Sequence, residues 1–287
     1  MSSKITRGEI SAIKRLLQSG KLTAPLNKTW QRIHSEEAIG RAAGKKIHFT
    51  SREIERLQQH VSASAGIEAL TADLSGDRMT IARTSSDEKL SSVGVFAGLI
   101  KVARKGLVIP TLSGDAFTPP ATMLSVPGDA IDLSKIDQIV VIENGAAIRY
   151  WADILLPEMC TGALFVYRGH SSDVSIVSDL VQRAADAGVA TYAFFDFDPA
   201  GLAMAARSGC DYAFVPRDWK LLIAGSKFVE RFNKLEVYLD QAPQLREILN
   251  GKQAWIQDIA SHLQKHRLAI TQEHLLANHC PLTMFRL

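Results

Sequence analysis

The sequence predicts an α/β protein in which a parallel sheet flanked by helices follows a basic, helical N-terminal region. Three observations predict it. Between residues 136 and 215, short apolar runs alternate with amphipathic segments. Those runs are continuously apolar, as strands buried on both faces are. The charge is also segregated: residues 1–60 carry twelve basic against five acidic side chains, a balance of +7, and residues 140–200 carry three against eight. The whole 287-residue chain is only +3. A basic region suits a polyanion, and an acidic pocket suits a divalent cation.

Composition excludes several classes. With 46% hydrophobic and 22% charged residues, the chain reads as soluble and globular with room for two domains. No apolar run approaches the ~20 residues that span a bilayer, so no membrane association is expected. The opening MSSKITRGEISAIKRLL has no signal-peptide core, and a cytoplasmic protein is expected. Cys160, Cys210 and Cys280 lack CxxC or Cys/His spacing, which suggests neither a disulfide framework nor zinc.

Residues 1–83 read as a helical, basic, DNA-binding domain. A first helix covers Glu9 to Leu17 and ends at Ser19-Gly20; a second covers Thr29 to Ala43 and stops at Gly44. Thr50-Ser51-Arg52-Glu53 reads as a capping box for a third. Lys45 and Lys46 precede that helix, and Arg52 and Arg56 share one flank at i, i+4 spacing. These four are the candidate phosphate contacts. With an alternating segment at Arg78 to Arg83, the pattern fits a winged helix. Residues 84–135 hold short β-like runs broken by Gly and Pro, and read as a β-rich connector.

From residue 136 the period is strand–helix. Strands are expected at Ile136–Ile142, Ala163–Tyr167, Val189–Phe195 and Tyr212–Val215, with helices at Ala146–Leu156, Ser171–Ala187 and Gly201–Ser208. Ligands of such sheets sit beyond the carboxyl ends of the strands. There the sequence places Glu143 after the first strand, and Asp196 and Asp198 after the third. Residues two apart on a strand share a face, so the two aspartates form one pair of oxygen donors. The alternative is equally open: Asp198 as N-cap of the next helix, with Pro199 at its first position.

The Glu-Asn-Gly after VVI, joined to Asp-x-Asp-Pro-x-Gly two strands on, resembles the TOPRIM domain of topoisomerases, bacterial primases and several nucleases. Within that group it looks most like the nuclease subunits of condensin-like plasmid-defence systems, the JetD type of Wadjet and the related MksG type. The resemblance implies a TOPRIM-type catalytic domain over residues 136–287, preceded by a winged-helix-like domain. It implies a metal-dependent DNA endonuclease in which Glu143, Asp196 and Asp198 hold Mg²⁺ or Mn²⁺ at a scissile phosphate. It also implies double-stranded DNA as substrate, an SMC/kleisin condensin-like ATPase complex as partner, and a homodimer.

The second motif departs from that pattern. Where relatives have a Gly-rich turn, this chain has Arg168-Gly169-His170-Ser171. Arg168 and His170 read either as DNA contacts or as part of a capping loop with Ser171 as N-cap. The C-terminal Gln272-Glu273 resembles a glutamine-glutamate segment that some relatives place near the site, which implies Glu273 as a candidate extra ligand, with Thr271 as a helix cap the alternative. A topoisomerase VI A-like mechanism is disfavoured, because the first tyrosine is Tyr150 and no nucleophile precedes the core. A primase is disfavoured for want of a zinc-binding cysteine cluster. A haloacid-dehalogenase-type phosphatase would need Thr or Val four residues after the first Asp, where Ala200 stands. A catalytically inactive TOPRIM DNA-binding adaptor stays open.

Overall fold

The computed structural model describes residues 5–71, 76–83, 85, 87–91, 94, 96–106, 108–169, 172–250 and 254–287. Two compact units result, Met1–Ala97 and Gly98–Leu287. Among the described residues no helix is long and apolar enough to cross a membrane.

The first unit runs α1 (Arg7–Ser19), β1 (Thr23–Pro25), α2 (Lys28–Glu37), β2 (Arg41–Ala43), β3 (Lys46–His48), α3 (Ser51–Ala65) and the single turn α4 (Arg78–Ile81). Capping boxes start α1 and α3: Thr6 pairs with Glu9 and Thr50 with Glu53, which satisfies amides that no helical carbonyl reaches. The strands form an antiparallel sheet in the order β1-β3-β2. Ile10, Ile13, Trp30, Ile33, Ile47, Leu57 and Val61 close the core beneath them.

Two expectations for this unit are corrected. The second helix ends at Glu37 rather than Ala43, because Ala38 turns left-handed at φ 51° and the chain enters the β2–β3 hairpin. Gly40 allows that entry: a Cβ there would lie 2.8 Å from the Ile47 side chain. Arg78–Arg83 holds no strand, because Asp77 Oδ1 accepts the Thr80 N–H at 2.7 Å and starts α4.

The second unit contains β4 (Leu99–Arg104), β5 (Val108–Thr111), β6 (Gly114–Phe117), β7 (Leu124–Pro127), β8 (Gln138–Ile142), α5 (Gly145–Arg149), β9 (Leu164–Tyr167), α6 (Ser172–Asp186), β10 (Ala190–Phe194), α7 (Pro199–Arg207) and β11 (Tyr212–Pro216). It ends with α8 (Lys227–Phe232), α9 (Leu235–Gln241), α10 (Leu245–Leu249), α11 (Ala254–His266), α12 (Gln272–Ala277) and β12 (Leu282–Arg286). A seven-stranded mixed sheet takes the order β12-β11-β10-β8-β9-β4-β7. The four central strands are parallel, and β4 and β12 run antiparallel to their neighbours.

Both faces of the sheet are covered, as its continuous apolar runs require. Val140, Ile142 and Phe194 pack with α5, α11 and α12, while Ile139, Val141 and Ala193 pack with α6. Residues 84–135 are therefore not a connector, since β4 and β7 are strands of the main sheet and the unit boundary falls at Ala97. The helix expected over Ala146–Leu156 is also shorter. It ends after Arg149 because Trp151 turns into the core, 1% exposed, with its indole N–H donating to Thr122 O at 2.9 Å.

The capping box of α3 gives a direct test. Thr50→Ala should lower the stability of the first unit by about 1 kcal/mol. Hydrogen exchange of the first α3 amides measures it, and unchanged protection would show the cap to be dispensable.

Candidate active site

Strand order fixes where the site lies. From β8 the chain crosses to β9 on one side and then to β10 on the other, so a crevice opens at the carboxyl ends of β8 and β10, the switch point of such sheets. Ile142 and Phe194 are register partners at those ends, and the Glu143 N–H donates to Phe194 O at 3.3 Å. Glu143 and Asp196 thus leave adjacent strands at the same level. One Glu143 carboxylate oxygen, Oε2, is buried.

The C-terminal segment completes the rim. Phe197 and Ile270 exchange backbone hydrogen bonds of 2.8 and 3.0 Å, which sets the start of α12 against the strand ends. The Gln272 backbone N–H then donates to Asp196 Oδ1 at 2.7 Å. Its side chain, 0% exposed, donates to Phe194 O at 2.6 Å and accepts the Asn144 N–H at 2.9 Å. Glu273, exposed, accepts the Asn144 side-chain N–H at 2.7 Å. Asn144 also caps α5 through its Oδ1.

The two aspartates have different environments. Asp198, 4% exposed, is the N-cap of α7, with Oδ1 accepting the Gly201 N–H at 2.6 Å and Pro199 at the first helical position. Gly201 is required there, because a Cβ would collide with the carbonyl of Asp196. Burial raises the Asp198 pKa, opposed by the N–H groups of Gly201 and Ala200, by Gln241 and by the charge of Lys234. Asp196 is half-buried and its carboxyl is pushed up to about 7. Burial is the largest cause; the Gln272 N–H opposes it, and the charges of Asp198, Glu143 and Glu273 add to it. Four acidic groups therefore share one rim.

The other expected residues lie elsewhere. Arg168 stands with its guanidinium 6.0 Å from the Phe195 ring centroid and lines a cavity of about 260 Å³ with Val141, Val177 and Met204 on the α6 side of the sheet. His170 and Ser171 lie outside the described residues. In the first unit Lys45, Lys46, Arg52 and Arg56 are exposed, and Arg56 Nη2 donates to Glu37 O at 3.3 Å. Sequence reasoning gave no role to Gln272, Asn144 or Gln241. The only sequence signal for Gln272 is its place before Glu273.

A family model described as a domain of unknown function, DUF7281, matches residues 97–284, more than half of the chain. The chain belongs to this family. The DUF7281 match coincides with the second unit, so the whole carboxylate rim, including Gln272 and Glu273, lies inside it. No curated protein matches the chain.

The donor chemistry of this DUF7281 rim fits a hard divalent cation: it offers carboxylate oxygens, and burial disfavours the ionised forms of Asp196 and Asp198 until a cation offsets it. Among the described residues no three His, Cys, Asp or Glu side chains are gathered into a ready ligand cage. Mg²⁺ commonly takes one or two carboxylates and fills its shell with water and substrate phosphate, so an open rim is compatible with it.

Two measurements probe the rim. The folded pKa of Asp196, about 7, lies above the unfolded value of about 4. Its contribution to stability is thus fully present below about pH 4 and is lost as pH rises through about 7. Without added metal, Asp196→Asn should gain on wild type by on the order of a few kcal/mol between about pH 5 and about pH 8. Urea unfolding at both pH values checks this, and a pH-independent difference would refute it. Gln272→Ala removes the acceptor of the Asn144 N–H and leaves Phe194 O to the longer Glu143 bond, and should cost about 1–3 kcal/mol in the same assay; a loss below about 0.5 kcal/mol would show that the tie carries little.

Proposed function

We propose that this chain is a metal-dependent DNA endonuclease of TOPRIM type that cleaves phosphodiester bonds in DNA presented by an SMC/kleisin condensin-like ATPase complex. The observation that carries the reading is the meeting of Glu143, Asp196, Asp198 and Glu273 at the β8/β10 switch point, with Asp196 raised by burial and by its three acidic neighbours. The Glu-Asn-Gly and Asp-x-Asp-Pro-x-Gly motifs support it through the TOPRIM resemblance. The exposed basic side chains of the first unit, with a winged-helix-like role, support DNA as the partner.

In this reading Glu143, Asp196 and Asp198 hold Mg²⁺ or Mn²⁺, with Glu273 as a further ligand. The bound metal would neutralise charge at the phosphoryl group. Gln272 holds Asp196 in place through its backbone N–H, and Asn144 holds Glu273. Glu143 is a ligand or a general base. The chain has no P-loop GxxxxGK[ST], so movement of DNA falls to the partner ATPase. Two copies would place two sites on opposite strands.

One observation favours a second reading, a catalytically inactive DNA-binding adaptor: Asp198 already spends an oxygen on capping α7. Incubation with circular DNA and Mg²⁺ or Mn²⁺ separates the two. Nicking or cutting should depend on metal, rise when the condensin-like complex and ATP are added, and fall at least ~100-fold in Asp196→Ala. No cleavage with any metal and the full complex present would leave the adaptor.

A further inference from the structure

The first unit has a groove of about 570 Å³ that sequence spacing does not reveal. Its walls come from three places in the chain: Arg15 on α1, Lys21 just after the α1 terminus, and Lys45 and Lys46 on the β2–β3 hairpin. All four are exposed, and among the described residues no acidic side chain lines the groove. The positions are set by backbone. Lys45 O accepts the Leu26 N–H at 2.9 Å, Lys46 is the register partner of Pro25 in the β1–β3 pair, and Gly20 ends α1 in the left-handed conformation.

The α3 flank is different. Arg56 donates to the Glu37 carbonyl much as Arg15 Nε in the groove donates to Ser11 O at 3.2 Å, but Glu53 and Glu55 stand on the same helix as Arg52 and Arg56. Its cations are partly offset by their own neighbours.

We propose that the groove seats the phosphate backbone of duplex DNA, with Arg15, Lys21, Lys45 and Lys46, rather than Arg52 and Arg56, setting the salt-dependent affinity. The proposal deepens the reading of the chain as a DNA-acting protein and rests on it. Phosphates are the chemistry that matches the groove: ammonium groups are compact point charges, and here they are spread over an open surface instead of converging on one anion.

The test uses the full chain in EDTA and a fluorescein-labelled duplex, read by anisotropy across a salt series. Neutralising four phosphates predicts a slope of log affinity against log salt of about −4. The triple variant Lys21→Gln, Lys45→Gln, Lys46→Gln should flatten that slope by about 3, whereas Arg52→Gln with Arg56→Gln should leave it within about 0.5 of wild type. Circular dichroism confirms that each variant is folded. The reverse pattern, or polyglutamate binding more tightly than duplex, overturns the proposal. Because binding is read without metal, the two readings fail separately. Duplex bound through these residues but never cut supports the groove and overturns the nuclease. Cutting by wild type, with unchanged binding by the triple variant, overturns the groove alone.

Discussion

The carboxylate rim depends on a buried amide. Gln272 sits at 0% exposure and ties the C-terminal segment to two places far from it in sequence: the end of β10, through Phe194 O and Asp196 Oδ1, and the β8–α5 turn, through the Asn144 N–H. A buried amide must place both its donor and its acceptor or lose stability. Satisfying Gln272 therefore fixes the level of the two strand ends and the start of α12 at once. The Phe197–Ile270 bridge brings the segment in, and the side-chain bonds lock it.

With that tie in place, the electrostatics follow. Asp198 points into a helix N-terminus, where N–H groups of α7 meet its charge. Asp196, two residues earlier, shares its surroundings with Asp198, Glu143 and Glu273, and its carboxyl rises to about 7. One acid thus supports the backbone, while its neighbour is held near neutrality, where a cation or a proton shifts its state. A bound cation would offset the burial of the Asp196 charge first and the repulsion from its neighbours second.

The first unit shows the same reliance on backbone placement. Its basic residues are distributed along sixty residues of sequence, yet the β1–β3 pairing and the end of α1 gather four of them around one groove. The i, i+4 pair Arg52 and Arg56 is regular in sequence, but Arg56 spends part of its donor capacity on the end of α2.

Local chemistry made much of this legible. Continuous apolar runs marked β8, β9, β10 and β11 to within a residue or two, the capping box at Thr50 marked α3, and Asp198-Pro199 marked the start of α7. Those signals depend on a few neighbouring residues and survive without the rest of the fold. Placing Glu143, Asp196 and Asp198 at strand ends followed from the same runs.

The remaining features were decided only by tertiary structure. Membership of β4, β7 and β12 in the main sheet rests on pairing with strands distant in sequence, and the composition of residues 84–135 does not encode it. Ala38 in a left-handed conformation ended α2 where no glycine signalled a stop, because Ile47 and Phe49 needed the hairpin above them. Gln272 looks like any helix-surface glutamine until the Phe197–Ile270 bridge buries it. The sequence by itself determined which acids stand at strand ends. Tertiary burial decided that Asp196 is raised, and the long-range hydrogen bonds of Asn144 with Gln272 and Glu273, which no local pattern records, decided that Glu273 joins the rim.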